Sequence, residues 1–224
     1  MWAPAGIVVR TPRLELRGAD EADLLELADL AARGVHDEKV MPFLTPWSRG
    51  TPEERRRSVL QWHWRCRGEW TPAKWSWSGV AVVDGRVVGT QGMGAEDYGV
   101  TRTAETGSWL GVAHQGQGLG KEMRAAILHL LFAGLDASRA TTGAFDDNPP
   151  SLGVTRSLGY TPNGERYLAS EGNRRRELLF TMDRAAWEAI RRDDITLSGV
   201  EPARALFGLD PLPEPDVEAP VGTG

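Results

Sequence analysis

The chain has 224 residues, 41% of them hydrophobic and 25% charged, the composition of a soluble domain large enough to bury a core. Its 26 Lys and Arg against 31 Asp and Glu leave a formal net charge of −5, which argues against broad binding to nucleic-acid phosphates or anionic membranes. One cysteine, Cys66, excludes an internal disulfide framework and a thiolate metal cluster. With no leader-like N-terminus and no run of about 18 apolar residues, the expected setting is cytoplasmic.

Residues 11–17 predict a strand, because Leu14 and Leu16 alternate with Arg13, Glu15 and Arg17. A helix follows: Asp20 caps it, Asp23 sits in its first turn, Leu24, Leu27, Ala28 and Ala31 form its apolar stripe, and Gly34 ends it. Residues 35–50 are irregular, and their Pro42, Phe43, Pro46 and Trp47 suggest a lid or a pocket wall. Thr51-Pro52-Glu53-Glu54 is a capping box with proline at the first helical position, opening a second helix on which Val59, Trp62 and Cys66 recur. Residues 75–84 and 86–93 read as a hairpin across Asp84-Gly85, and 103–112 as a further, glycine-broken strand. A helix over 121–134 turns Met123, Ile127, Leu130 and Leu131 inward, with Lys121, Glu122 and Arg124 on its wet side. A short buried strand over 140–145 precedes a helix capped by Asn148, started by Pro149 and closed by Gly159. Residues 165–169 and 175–182 form a last hairpin around Gly172-Asn173, and Asp183 caps a short helix carrying Trp187. These strands number seven. The expected organisation is a domain over 1–194 and a proline-rich tail over 195–224, which only Leu206, Phe207 and Leu209 could anchor. Leu206-Phe207 and the tryptophan of the 35–50 segment are also candidate contacts of a homo-oligomer, and the tryptophans around position 62 read as core, acceptor-pocket wall or subunit contact.

The stretch from Trp109 to Lys121, Trp-Leu-Gly-Val-Ala-His-Gln-Gly-Gln-Gly-Leu-Gly-Lys, carries the most chemistry. A strand runs into a turn with glycine at alternate positions that opens directly into a helix. Backbone N–H groups therefore converge at a helix N-terminus with no side chains in the way, which is an anion cradle. A nucleotide P-loop would need glycine at position 115 and Ser or Thr after the lysine, where this chain has Gln115 and Glu122. A dinucleotide fingerprint would need glycine where Lys121 stands, and it normally opens a fold.

Gln115-Gly116-Gln117-Gly118-Leu119-Gly120 fits Gln/Arg-x-x-Gly-x-Gly/Ala and resembles the coenzyme A pyrophosphate loop of the GCN5-related N-acetyltransferase (GNAT) family. Thr11-Pro12-Arg13-Leu14-Glu15-Leu16-Arg17 resembles the first strand of its RimJ/RimL-type branch, and Asn148-Pro149-Pro150-Ser151 to Leu158-Gly159-Tyr160 resembles a later helix of that branch. The likeness runs to about Trp187. Gly34-Val35-His36-Asp37, Met41-Pro42-Phe43, Pro46-Trp47, Gly107-Ser108-Trp109-Leu110-Gly111 and Glu122-Met123-Arg124-Ala125-Ala126 are similar to a bacterial subgroup containing a succinyl-CoA transferase.

The resemblance implies the GNAT fold, an α/β (α+β) architecture with a mixed, mostly antiparallel sheet of about seven strands flanked by helices. It implies an acyl-CoA-dependent N-acyltransferase with acetyl-CoA or succinyl-CoA as co-substrate and no metal. The acceptor would be the amine of a small molecule, a protein N-terminus or a lysine, with neither nucleic acid nor membrane as partner. Leu110, Gly111 and Val112 would pair with the pantetheine arm, and the loop from Gln115 to Gly120, with Lys121, would hold the diphosphate. Asn148 and Ser151 match coenzyme-contacting positions, though Asn148 equally reads as a helix cap. Glu105, on the preceding strand, matches a general base and equally reads as an exposed strand carboxylate. His36, Asp37, Phe43 and Trp47 are candidates for the acceptor pocket, His36-Asp37 equally for loop capping. Four residues before Gly159, where many relatives carry a tyrosine acid, stands Thr155, a poor acid at neutral pH. That departure keeps a non-catalytic acyl-CoA-binding or sensing module open as the alternative. His63 and His129 read as boundary residues, and the four histidines lack metal-ligand spacing.

Overall fold

Val8–Arg10 (β1) and Glu15–Gly18 (β2) pair as a hairpin, so of the strand expected over 11–17 only its second half is a strand and 11–14 form the turn, in a computed structural model that describes residues 2–210. The break is local: Pro12 has no N–H to give a ladder, and the Thr11 N–H turns back to the Leu14 carbonyl at 2.9 Å. Helix α1 (Glu21–Arg33) starts in a capping box formed by Asp20 and Asp23, and ends at Gly34 with φ +117°. Helix α2 (Pro52–Gly68) starts in the Thr51–Glu54 box. Its inward residues are Val59, His63 and Cys66, so Trp62 stands beside the expected stripe and is half exposed.

β3 (Lys74–Val83) and β4 (Arg86–Glu96) meet at Asp84 and Gly85, with φ +50° and +74°, the left-handed pair of a type I′ turn. After a single turn, α3 (Tyr98–Thr101), come β5 (Thr103–Leu110) and α4 (Leu119–His129), the latter extended by a π-turn over Leu130–Gly134. β6 (Arg139–Phe145), α5 (Pro149–Ser157), β7 (Thr161–Ser170), β8 (Asn173–Asp183), α6 (Arg184–Glu188) and β9 (Thr196–Ser198) follow. The last hairpin turns at Glu171-Gly172, one residue earlier than expected.

The strands form one sheet in the order β7-β8-β6-β5-β4-β3-β2-β1-β9, antiparallel throughout except for β5 and β6. Helices α1 and α2 cover one face, where Leu24, Leu27 and Val59 pack on Val80, Val82 and Val87. Helix α4 covers the other, with Met123 and Ile127 among Leu16, Ala104 and Ala140. Among the described residues there are nine strands rather than about seven because β1 and β9, at three residues each, are too short for a period-two pattern to show.

The segment expected as a tail is built into this core as far as it is described. β9 pairs with β1 through Val9↔Leu197, and a 3₁₀ segment, Glu201–Phe207, brings Phe207 against Trp70 and Trp75, with ring centroids at 5.1 and 4.7 Å. Trp70 Nε1 donates to the Leu206 carbonyl at 2.8 Å, and Leu209 is buried. Phe207 therefore serves its own domain and is not available to a second subunit. The remainder of the tail, 211–224, lies outside the described residues. Phe207→Ala should cost about 3–5 kcal/mol in denaturant unfolding, as for a fully buried aromatic; a loss below about 1 kcal/mol would show that the segment is peripheral.

Candidate active site

β5 and β6 run parallel through only three registered pairs, Thr103↔Arg139, Ala104↔Ala140 and Glu105↔Thr141. Beyond them β5 stays with β4 as far as Leu110↔Gly89, and β6 stays with β8 as far as Phe145↔Glu177. The two strands part, and each keeps one unpaired edge facing the gap. Threonines close the vertex: the Thr142 hydroxyl donates to the Thr106 carbonyl at 3.0 Å, and the Thr106 hydroxyl to the Thr141 carbonyl at 3.2 Å. Because the Thr106 carbonyl faces β6, two-residue alternation turns the backbone groups of Ser108 and Leu110 toward the same gap. Of the expected edge residues, Gly111 and Val112 commit their N–H groups to the Val88 and Gly34 carbonyls at 3.1 and 3.2 Å. The open edge thus lies earlier in the chain than the motif suggests, since the backbone keeps bonding to the β4 side past Leu110.

At the mouth of the gap, Gly116 and Gly118 have φ +73° and +80°, a conformation only glycine adopts cheaply. Helix α4 starts at Gly118 without a side-chain cap, and its first internal bond runs from Glu122 N–H to the Gly118 carbonyl. The amides of Leu119, Gly120 and Lys121 therefore open onto the loop at the positive end of the helix. The two glutamines brace this loop from outside: Gln115 Nε2 donates to the Val35 and Leu110 carbonyls at 2.8 and 2.9 Å, and Gln117 Nε2 to the Ala113 carbonyl at 2.9 Å. Gly120 packs on α5, where an added Cβ would lie 3.6 Å from Val154. Arg13 joins the loop from the β1–β2 turn, its Nη2 donating to the Gln117 carbonyl at 2.8 Å and its Nη1 lying 3.3 Å from where a Cβ at position 118 would stand. No sequence pattern announces this contact, which spans 104 residues of chain. Asn148 caps α5, accepting from Ser151 N–H at 3.3 Å, and Thr155 on the same helix is buried.

On the α2 side of the sheet, a cavity of about 1020 Å³ lies between that helix and β3–β5. Its floor is small and hydroxylated, with Ser76, Ser78, Thr90, Gly92, Gly94 and Gly107, while Val59, Trp62 and His63 form its roof. Glu105 lines it from the vertex of the fork, within the field of Arg166, which is itself paired to Glu177 at 2.5 Å. One end is walled by Phe43, Trp47 and Trp109, whose successive ring centroids are 5.1 and 5.4 Å apart. Phe43 and Trp47 belong to the irregular 35–50 segment, which spans the fork. On the β5 side it is held by Gln115; on the β8 side Ser170 donates to the Leu44 carbonyl, Arg175 to the Met41 carbonyl, and Arg49 grips Glu171 with two bonds of 2.7 and 3.0 Å.

The other pocket candidates stay outside the cavity lining. His36 Nε2 shares a hydrogen bond with Ser48 Oγ at 2.7 Å, and the Asp37 carboxylate accepts from Lys39 N–H at 2.9 Å, so the pair organises its own loop. Glu122 and Arg124, expected on a wet helix face, are buried: Glu122 pairs with Arg192 at 3.1 Å, and Arg124 donates to the Thr142 hydroxyl at 3.0 Å. His129 is buried too, edge-on to Trp187 at 5.7 Å. Cys66 lies outside the cavity lining, and burial pushes its thiol up to about 11. Among the described residues, no three His, Cys, Asp or Glu side chains are grouped to hold a metal, and no helix is long and apolar enough to cross a membrane.

A family model for the acetyltransferase (GNAT) domain matches residues 13–161. Among solved structures, the chain is similar to Mycobacterium smegmatis RimJ in complex with a coenzyme A disulfide, at 21% identity and TM-score 0.63 over 84% of this chain and 96% of that one. It is similar to RimL, a ribosomal L7/L12 α-N-protein acetyltransferase in complex with coenzyme A, at 21% identity and TM-score 0.59 over 80% and 99%. A GCN5-related N-acetyltransferase from Brucella melitensis matches at 16% identity and TM-score 0.66 over 82% and 81%.

His63, in the roof of the cavity, gives the site a pH signature. Burial holds its pKa down at about 4, with Arg67 adding to the shift, against 6.5 for an ordinary imidazole. The unfolded chain therefore binds the proton more readily, so the stability present above pH 6.5 is lost as pH falls toward 4, by on the order of 3 kcal/mol. His63→Gln should flatten the dependence of the melting temperature on pH between 4 and 6.5. An unchanged slope would place the titrating group elsewhere.

Proposed function

The chain belongs to the GNAT acetyltransferase family, and on that premise we propose that it moves an acyl group from a coenzyme A thioester directly to a primary amine. The observation that carries this reading is the fork itself. One unpaired strand edge leads from an amide-rich helix start to a vertex where Glu105 faces a large groove. The amides from Gly116 to Lys121, with Arg13 beside them, suit a diphosphate, because they combine uncovered donors with the positive end of a helix dipole. The β5 edge from Ser108 to the Leu110 N–H, whose own carbonyl is held by Gln115, suits the amide-bearing pantetheine arm, which would add there as a short strand. Asn148 and Ser151, at the start of α5, flank the same arm.

Attack on a thioester requires a neutral amine, donors for the oxygen that becomes negative, and a leaving thiolate. Glu105 takes the amine proton, directly or through a water in the groove, and β5 edge amides supply the donors. With a buried threonine at position 155, the thiolate departs unassisted or is protonated from solvent, which the low pKa of a thiol permits. Transfer is direct in a ternary complex, because the cysteine is buried, largely protonated and outside the groove. The donor in this reading is acetyl-CoA or succinyl-CoA. The groove admits a protein N-terminus, a lysine or a small-molecule amine, and the likeness to a ribosomal α-N-protein acetyltransferase favours testing N-terminal peptides first. Thr155 is also what supports a second reading, a sensor that binds acyl-CoA without turnover.

A thermal-shift series with acetyl-, succinyl- and longer acyl-CoA thioesters tests the donor. Gly118→Val should abolish the stabilisation, because it forces a branched side chain to φ +80° beside Arg13 and covers the amides; a shift equal to wild type would reject the loop assignment. Glu105→Gln should lower kcat/KM about 100-fold near neutral pH, and the deficit should narrow as pH approaches the pKa of the amine. A deficit independent of pH would remove Glu105 as base.

A further inference from the structure

We propose that Arg124, acting through Thr142, is the pin that sets where β5 and β6 part and so positions the β5 edge. Its effect on rate rests on the acyltransferase reading; its effect on the strand does not.

Arg124 lies on α4 one turn after Gly120, is 4% exposed, and pairs with no carboxylate among the described residues. A guanidinium cannot shed its proton, so a full charge is buried there. Its Nη1 donates to the Thr142 hydroxyl at 3.0 Å and its Nε has no partner, while its guanidinium carbon lies 6.0 Å from the centre of the Tyr160 ring. Replacing an unpaired buried charge with an apolar side chain is commonly neutral or stabilising, so stability does not explain this residue.

Its donors explain it better. Arginine offers donors only, and a hydroxyl has one hydrogen. With Arg124 filling an acceptor site on Thr142 Oγ1, the threonine proton is turned away from the helix and onto the Thr106 carbonyl at 3.0 Å. The bond is charge-assisted and has a single sense. It falls at the first position past the last backbone pair, Glu105↔Thr141, where β5 has lost its neighbour. On the other flank, Gln91 Nε2 donates to the next carbonyl, that of Gly107, at 3.0 Å. Two consecutive carbonyls of β5 are thus held by side chains at the point of parting, and the Ser108 groups that face the gap follow from them. Arg124 is accordingly a positioning residue.

The test uses Thr142→Val, which removes only the relay, Arg124→Met, which removes the charge, and Thr142→Ser, which keeps the hydroxyl. In the free protein, amide hydrogen exchange across 103–110 should speed up in the Val and Met variants and stay at the wild-type rate in the Ser variant, with melting temperatures held or raised in Arg124→Met. With acetyl-CoA and a panel of primary amines, thiol release should show kcat lowered about tenfold or more, KM for acetyl-CoA within about threefold, and full rescue by serine. Unchanged exchange in both variants would overturn the proposal, as would a rate loss that tracks the melting temperature or a serine variant as slow as the valine one. If the wild type releases no thiol with any amine, the transferase reading fails, and the exchange measurement still decides the pin.

Discussion

A ladder of backbone hydrogen bonds that stops after Glu105↔Thr141 is the constraint on which the rest of the molecule depends. Backbone donors and acceptors need partners, and a strand in the middle of a nine-stranded sheet normally finds them on both sides. β5 and β6 each keep one neighbour, β4 and β8, and give up the other, so the sheet stays continuous below the vertex and open above it. The opening puts unsatisfied peptide groups in the middle of a fold rather than at its rim. There a ligand can reach them between two layers of helix, with the glycine loop at one end and Glu105 at the other.

In the proposed site the backbone presents the binding groups and side chains hold the backbone. Gln115, Gln117 and Arg13 all bond to carbonyls of the loop or its neighbours, Thr106 and Thr142 stitch the vertex, and Gln91 secures Gly107. Such a site makes few demands on side-chain identity at the ligand itself. Solved structures that share only 16–21% of their residues with this chain have the same overall fold.

What could be read from the amino-acid order was whatever is decided within a few residues. The capping boxes at Asp20 and Thr51, the Asp84-Gly85 turn and the glycines at 116 and 118 each state their own backbone requirement, and the helices and hairpins followed from them. The three-residue strands did not show, nor did the turn at Pro12 that takes the place of the first half of the expected strand. Helical periodicity placed Glu122 and Arg124 in water because their partners, Arg192 and Thr142, are 70 and 18 residues away. His63 was hidden for the same reason, since its burial depends on the sheet beneath α2. Within the proposed site, motif spacing marked the glycine turn that opens into α4, while the open strand edge and the reach of Arg13 depended on which carbonyls were already taken.

The 35–50 segment turns an open fork into a braced frame. Sheet twist tends to spread two unpaired strands progressively with distance from the vertex, yet here a strap tied to Gln115 on one arm and to Glu171 and Arg175 on the other limits how far they can diverge. One of those ties, Arg49 with Glu171, is an exposed ion pair. Dissolved electrolyte weakens such surface pairs while leaving buried hydrogen bonds intact, so of the strap's ties this is the one that salt loosens, and the hydrogen bonds to Gln115, Ser170 and Arg175 carry the rest.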